Sequence, residues 1–179
     1  VIIGMGGVGL SVLMGAKLQG ASKIVCIDSN VALRDLALDL GCTDFIVAEK
    51  GVNLVSKVKE LTNIGADYVF EAVGKRELQR AAIDYCCPGG QVTYLGLGSA
   101  DAKIDLPTTD ITRNEKIITG SIYGSACSDR DFLLYAEKYL EGILPVDLII
   151  GRHYKIDQIN EGIGDMLKGK PGRGIISFD

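Results

Sequence analysis

The sequence is poor in the residues that build metal centres. It has one histidine, His153, and five cysteines, Cys26, Cys42, Cys86, Cys87 and Cys127, with no C-x-x-C pair among them. Zinc sites use clustered cysteine and histidine. A lone histidine far from every cysteine therefore argues against a self-contained zinc site, and no residue of this chain is a metal-ligand candidate. The odd, scattered cysteines read as free buried thiols of a reducing, cytoplasmic protein, and His153 reads as a structural residue at an element edge. Only 4 prolines and no tripeptide period exclude a collagen-like or low-complexity chain. Basic blocks are also missing: 19 Lys+Arg against 23 Asp+Glu give a net charge of −4, which speaks against nucleic-acid or anionic-membrane partners. The longest uncharged stretch, Val1–Ala16, falls short of the roughly 18 apolar residues of a membrane span. It carries five glycines and lacks the basic start of a signal peptide.

What is present is a globular composition, 47% hydrophobic and 23% charged over 179 residues, enough for one domain or one domain plus a piece of another. Glycine is in excess, 23 residues against a usual share of roughly 7%, which points to tight turns and close backbone approaches. The chain opens on Val1 in mid-strand pattern, so an N-terminal part is expected to precede it.

Apolar runs alternate with helical stripes along the chain. Strands are expected at Val1–Ile3, Lys23–Asp28, Asp44–Ala48, Asp67–Val73, Gln91–Leu97 and Lys116–Tyr123. Helices are expected from about Gly7 to Gln19, along Leu33, Leu36, Ala37 and Leu40, along Leu54, Val55, Val58 and Leu61, along Leu78, Ala81, Ala82 and Tyr85, and over Asp129–Leu140. Short glycine-containing links and buried strands imply an α/β fold, a doubly wound parallel sheet of six strands with helices on both faces. A strand–helix–strand tail follows: Pro145–Tyr154, a helix about Asp157–Lys168, and Gly174–Phe178. The division is residues 1–145 for the nucleotide-binding domain and 146–179 for the tail.

The first strand runs into Gly4-Met5-Gly6-Gly7-Val8-Gly9, a G-x-G-x-x-G turn at Gly4, Gly6 and Gly9. In this pattern the first glycine permits the tight turn, the second lets a pyrophosphate approach the backbone, and the third lets helix pack on strand. The helix N-terminus offers unpaired N–H groups and about half a positive charge to the anion. Asp28 ends the second strand, 19 residues past Gly9. A carboxylate there accepts from an adenosine ribose diol and repels a 2′-phosphate, so the expected cofactor is NAD rather than NADP. Arg34 is nearby and reads as a solvated helix-face charge.

The glycine turn with Asp28 resembles the coenzyme domain of zinc-dependent medium-chain alcohol dehydrogenases. So do Asp67-Tyr68-Val69-Phe70-Glu71-Ala72-Val73-Gly74, Pro88-Gly89-Gly90 leading to Leu95-Gly96-Leu97-Gly98, Gly120-Ser121-Ile122-Tyr123-Gly124, and the tail Gly169-Lys170-Pro171-Gly172-Arg173. The resemblance covers essentially the whole chain, and F-E-x-x-G followed by G-L-G is its most specific part. It implies that Val8 and the backbone after Gly6, Gly7 included, lie against the pyrophosphate. It puts Val73 and Lys75 on the adenosine side, Leu95, Leu97 and the Tyr123 backbone around the nicotinamide, and Arg173 on the pyrophosphate from the tail. Leu33 stands where such enzymes often carry a ribose-binding Lys or Arg.

The resemblance further implies that catalytic zinc and its ligands belong to the part upstream of the glycine turn. On this reading the chain carries no catalytic residue and is inactive alone. Its tail would pack on the absent catalytic domain. The parent would be a cytoplasmic oxidoreductase moving hydride between an alcohol, or an aldehyde or ketone, and NAD, its partner a small alcohol or carbonyl substrate. It would be a homodimer or homotetramer joined edge to edge at the sixth strand. Two other readings remain open. A zinc-free quinone or enoyl reductase would show an alanine-started turn and no acid after the second strand, against Gly4 and Asp28. A nucleotide-sensing regulatory domain leaves Glu71–Gly74, Leu95–Gly98 and Arg173 unexplained.

Overall fold

The computed structural model describes residues 1–178. Six strands, β1 (Ile2–Ile3), β2 (Val25–Asp28), β3 (Asp44–Val47), β4 (Ala66–Glu71), β5 (Cys86–Tyr94) and β6 (Ile117–Gly120), form an all-parallel sheet in the order β3-β2-β1-β4-β5-β6. Helices α1 (Gly7–Leu18), α2 (Arg34–Asp39), α3 (Leu54–Thr62), α4 (Arg76–Tyr85), α5 (Thr108–Arg113) and α6 (Ser128–Leu140) lie in the connections. The tail is β7 (Ile150–Lys155), α7 (Ile159–Leu167) and β8 (Arg173–Ser177), whose two strands pair in parallel as a separate sheet.

β1 and β2 read as continuous apolar runs because both faces of the sheet are covered there. Alternate residues go to opposite layers. Ile2 and Cys26 join Leu10, Leu13 and Met14 of α1 and Ala37 of α2. Ile3, Val25 and Ile27 join Val58 of α3 and Ala82 and Tyr85 of α4. Leu144, just before the tail, and Ile149 at its start seal the first layer. The α3 helix is capped by Asn53, whose side chain accepts from Ser56 N at 3.1 Å.

The observed boundaries differ from the expected ones in several places. β4 stops at Glu71 rather than Val73: Ala72 N still donates to Ile3 O, but the Glu71 carboxylate takes the two donors after it, Val73 N and Gly74 N. β5 starts at Cys86 rather than Gln91. Its Pro88-Gly89-Gly90 stretch is an irregularity inside the strand, with Cys86 opposite Ala66 and Gln91 opposite Tyr68. β6 is shorter than expected, and its continuation turns at Tyr123. α5 was not expected from the pattern. The tail strand begins at Ile150, after a 3₁₀ turn over Val146–Ile149. Cys26, Cys42, Cys86 and Cys87 are buried free thiols, whereas Cys127, expected buried, is exposed just before α6. His153 is exposed on β7, with Nδ1 3.4 Å from Ser177 Oγ of β8. Among the described residues no helix is long and apolar enough to cross a membrane.

Candidate functional site

β1 lies between β2 and β4, where the strand order reverses. In doubly wound sheets ligands bind outside the carboxyl ends of the strands at this point. The loops that emerge there carry most of the candidate residues.

Each glycine of the turn has its own geometry. Gly4 has φ +88°, and a Cβ there would stand 2.4 Å from Val73 Cγ2. A Cβ on Gly9 would stand 1.8 Å from the Gly4 carbonyl oxygen, so only glycine lets α1 cross β1 this closely. Gly6, the residue before α1, differs: apart from its own chain neighbours, nothing lies within 4 Å of where its Cβ would be. The fold does not require glycine there, and the open space is what a ligand at the helix N-terminus would fill. Val8 is half-exposed in the first turn, which carries no acidic residue to compete for an anion.

Arg173, at the start of β8, closes the cradle from the other side. A Cβ on Gly7 would come within 2.6 Å of its Nε. A guanidinium is thus suspended over the positive end of α1, an arrangement suited to a doubly charged pyrophosphate between them.

The Asp28 carboxylate is fixed by two backbone donors, Met5 N on Oδ2 at 2.6 Å and Asn30 N on Oδ1 at 2.8 Å. These bonds tie the ends of β1 and β2 together and leave further lone pairs for hydroxyl donors. Asn30 caps the turn that follows by accepting from Ala32 N, and its Nδ2 donates to the Gly169 carbonyl of the tail at 2.9 Å.

Glu71 organises the other half of the site. It is fully buried, with Oε1 accepting from Val73 N and Gly74 N, each at 2.9 Å. Its carbonyl accepts from Leu95 N and Gly96 N. One residue thus sets the connections after both β4 and β5, whose backbones nearly touch: a Cβ on Gly96 would stand 2.1 Å from Gly74 N. Burial raises the Glu71 carboxyl above its ordinary value, opposed by the Gly74 and Val73 bonds.

Between sheet and tail lies a cleft of ≈ 1140 Å³. Of the candidate residues, Gly6, Gly7, Asp28, Lys75 and Arg173 line it. Gly4 and Gly9 lie beneath it as packing glycines. Val73, Leu95, Leu97 and Tyr123 do not line it: they form a second group beyond the ends of β4, β5 and β6, where Leu97 is 81% and Tyr123 93% exposed. Tyr123 has φ +50°, in the left-handed region. The tail wall of the cleft is built around Asp165, which accepts from Tyr154 Oη at 2.9 Å and pairs with Lys170 Nζ at 2.8 Å. Those two bonds, Lys170 first, hold its carboxyl below the usual carboxylate range. The sequence reading missed Glu71 as a positioning residue, and missed Asn30 and Asp165. The F-E-x-x-G motif was the available signal for the first; the other two act through contacts more than a hundred residues apart or within the tail.

The residues present fit a dinucleotide: a glycine whose Cβ position is empty, a helix N-terminus under a guanidinium, and a carboxylate at the end of β2. They do not fit zinc: among the described residues no group of three or more His, Cys, Asp or Glu is placed to hold a metal ion.

The family described as zinc-binding dehydrogenase matches residues 7–137. Alcohol dehydrogenase-like 7 of Arabidopsis thaliana is 34% identical over 175 residues, 95% of this chain and 44% of that protein. The crystal structure of benzyl alcohol dehydrogenase from Acinetobacter calcoaceticus superposes with a TM-score of 0.95 at 29% identity, covering 99% of this chain and 49% of that one. A structure described as a zinc-binding dehydrogenase from Sinorhizobium meliloti 1021 bound to NADP shares the fold, with a TM-score of 0.83 at 23% identity over 98% of this chain and 50% of that one. The chain thus spans about half the length of the relatives it matches.

Proposed function

The chain belongs to the zinc-binding dehydrogenase family, and from that premise we propose that it is the NAD-binding portion of an oxidoreductase that moves hydride between an alcohol and its aldehyde or ketone. Residues 1–145 are the nucleotide-binding domain, and 146–179 belong to the catalytic domain of the whole enzyme. The observation that carries this reading is the cradle at α1, with open space at Gly6 and Arg173 over Gly7.

When bound, the nicotinamide ring supplies the hydride acceptor or donor. The chain's own residues bind and orient. The first-turn N–H groups of α1 and the Arg173 guanidinium hold the pyrophosphate. Asp28, already fixed by Met5 N and Asn30 N, accepts from the adenosine ribose diol. Its negative charge disfavours a 2′-phosphate, so NAD is preferred over NADP. Lys75 and Val73 flank the adenosine side. Leu95, Leu97 and the Tyr123 backbone form the nicotinamide end, with the loops that carry them set by Glu71. Zinc would supply the Lewis acid that polarises the alcohol and would be held by residues other than these, and the chain by itself is inactive. The working form is a cytoplasmic dimer or tetramer joined at β6, and the substrate is a small alcohol or carbonyl compound.

Amide hydrogen exchange with and without NAD tests the binding site. Slowed exchange at Gly6–Gly9 and around Arg173 is expected. Protection confined to other segments would overturn the assignment.

A further inference from the structure

Of the cations lining the cleft, Arg152 and Lys170 have carboxylate partners, whereas among the described residues Lys75, Lys168 and Arg173 have none within ion-pair distance. Lys170 is paired with Asp165 at 2.8 Å. Arg152 is paired with Glu161 at 2.5 Å and lies 5.0 Å from the Tyr154 ring. Arg173 covers Gly7. Lys168, at the end of α7, is exposed and lines the cleft, and among the described residues it has no carboxylate within ion-pair distance.

Its position is set by a chain of hydrogen bonds. Asn30 N donates to Asp28 Oδ1 at 2.8 Å, and Asn30 Nδ2 donates to the carbonyl of Gly169 at 2.9 Å. Gly169 follows Lys168 directly. The tail loop is thereby fastened to the loop that carries the ribose-binding carboxylate, and Asp28 and Lys168 stand on the two sides of that fastening in one cleft. The β2–α2 connection supplies no competing cation. Leu33 is buried in the core at 7% exposure, and the Arg34 guanidinium lies 5.8 Å over the Phe45 ring.

We propose that Lys168 is a second cation of the adenosine end of the site, beside Lys75, its ammonium donating to the ribose oxygens next to Asp28, so that the tail helps to set affinity and the choice between ribose and ribose 2′-phosphate. This rests on the dinucleotide reading above. A lysine suits the task because its compact charge sits on a flexible four-carbon stem and brings three donors to acceptor-rich oxygens. Asp28 accepts from the hydroxyls while Lys168 donates to them, and the two charges offset one another. With Asp28 ionised a 2′-phosphate meets a carboxylate. With that charge removed the same ammonium becomes its partner.

The test is calorimetric titration of the unmodified protein, Lys168→Ala, Lys168→Arg, Asp28→Ser and the double variant with NAD, NADP, AMP and nicotinamide mononucleotide. Lys168→Ala is expected to weaken NAD and AMP by roughly three- to tenfold, to leave nicotinamide mononucleotide unchanged, and to be largely rescued by Lys168→Arg. Asp28→Ser is expected to tighten NADP, and adding Lys168→Ala is expected to cancel most of that gain. High salt should erode the gain too, since it screens an exposed charge pair. Unchanged NAD and AMP affinities in Lys168→Ala, or an NADP gain in Asp28→Ser that does not depend on Lys168, would overturn the assignment while leaving the dinucleotide reading in place. An unmodified protein that binds neither NAD nor AMP would overturn both.

Discussion

Arg173 and Gly7 are 166 positions apart in sequence and in contact in space: the guanidinium occupies the volume that a Gly7 side chain would need, 2.6 Å from its Cβ position at the nearest atom. The tail is therefore a wall of the cofactor cradle. Arg173→Ala should weaken NAD binding by roughly tenfold, about 1.4 kcal/mol, with little change in thermal stability, because the side chain is exposed. Gly7→Ala should produce a similar loss by displacing the same guanidinium. Calorimetry on the two variants checks both, and unchanged affinity in Arg173→Ala would remove it from the site.

The glycines of the turn should separate by experiment. Gly9→Ala drives a methyl into the Gly4 carbonyl oxygen and should cost more than the ~1–3 kcal/mol typical of an overpacked core. Gly6→Ala meets no protein atom beyond its own chain neighbours and should change stability by only about 0.5 kcal/mol while lowering cofactor affinity. Chemical denaturation with NAD titration on each variant tests the contrast. A Gly6→Ala protein with unaltered affinity would show that no ligand approaches there.

Glu71 gives a stability prediction with a definite sign. Its folded pKa is raised above the ordinary carboxyl value, chiefly by burial. Its contribution is fully present below that value and declines as pH rises through the folded pKa. Glu71→Gln keeps an acceptor for Val73 N and Gly74 N without a buried charge. It should flatten this decline and equal or exceed the unmodified protein in stability at neutral pH. Glu71→Ala leaves both donors without their partner and should cost about 1–3 kcal/mol. Urea denaturation across pH tests the pair; a Glu71→Gln protein as unstable as Glu71→Ala would contradict the account.

The inner strands were legible because parallel strands buried on both faces spell continuous apolar runs, as in Lys23–Asp28, and the exposed β6 was legible from its β-branched residues Ile117, Ile118 and Thr119. The glycine spacing and Asp28 marked the turn for a similar reason: each residue there answers a local steric or electrostatic demand. What could not be read depends on other forces. Thr108–Arg113 is helical with no apolar stripe to announce it. Pro88-Gly89-Gly90 looks like a turn but lies within β5. The fastening of Asn30 to Gly169 spans 139 positions and leaves no periodic trace.

The free side of β6 supplies a prediction about assembly. Ser121 N donates to Tyr94 O, so by strand alternation Ser121 and Thr119 turn their amides toward β5 while Ile118 turns its amide outward. Ile118→Pro should remove an outward donor and leave the β5 pairing intact. If copies join along this strand, light scattering should show a dimer or tetramer for the unmodified protein and a shift toward monomer for the variant. A monomeric unmodified protein at high concentration would show that β6 is not the joint.

The most direct measurement is calorimetric titration of the unmodified protein and Asp28→Ala with NAD and NADP at fixed ionic strength. The unmodified protein is expected to bind NAD more tightly than NADP, and Asp28→Ala to narrow the difference by removing the carboxylate proposed to meet the ribose diol. Equal affinities in the unmodified protein, or no binding of either dinucleotide, would contradict this reading.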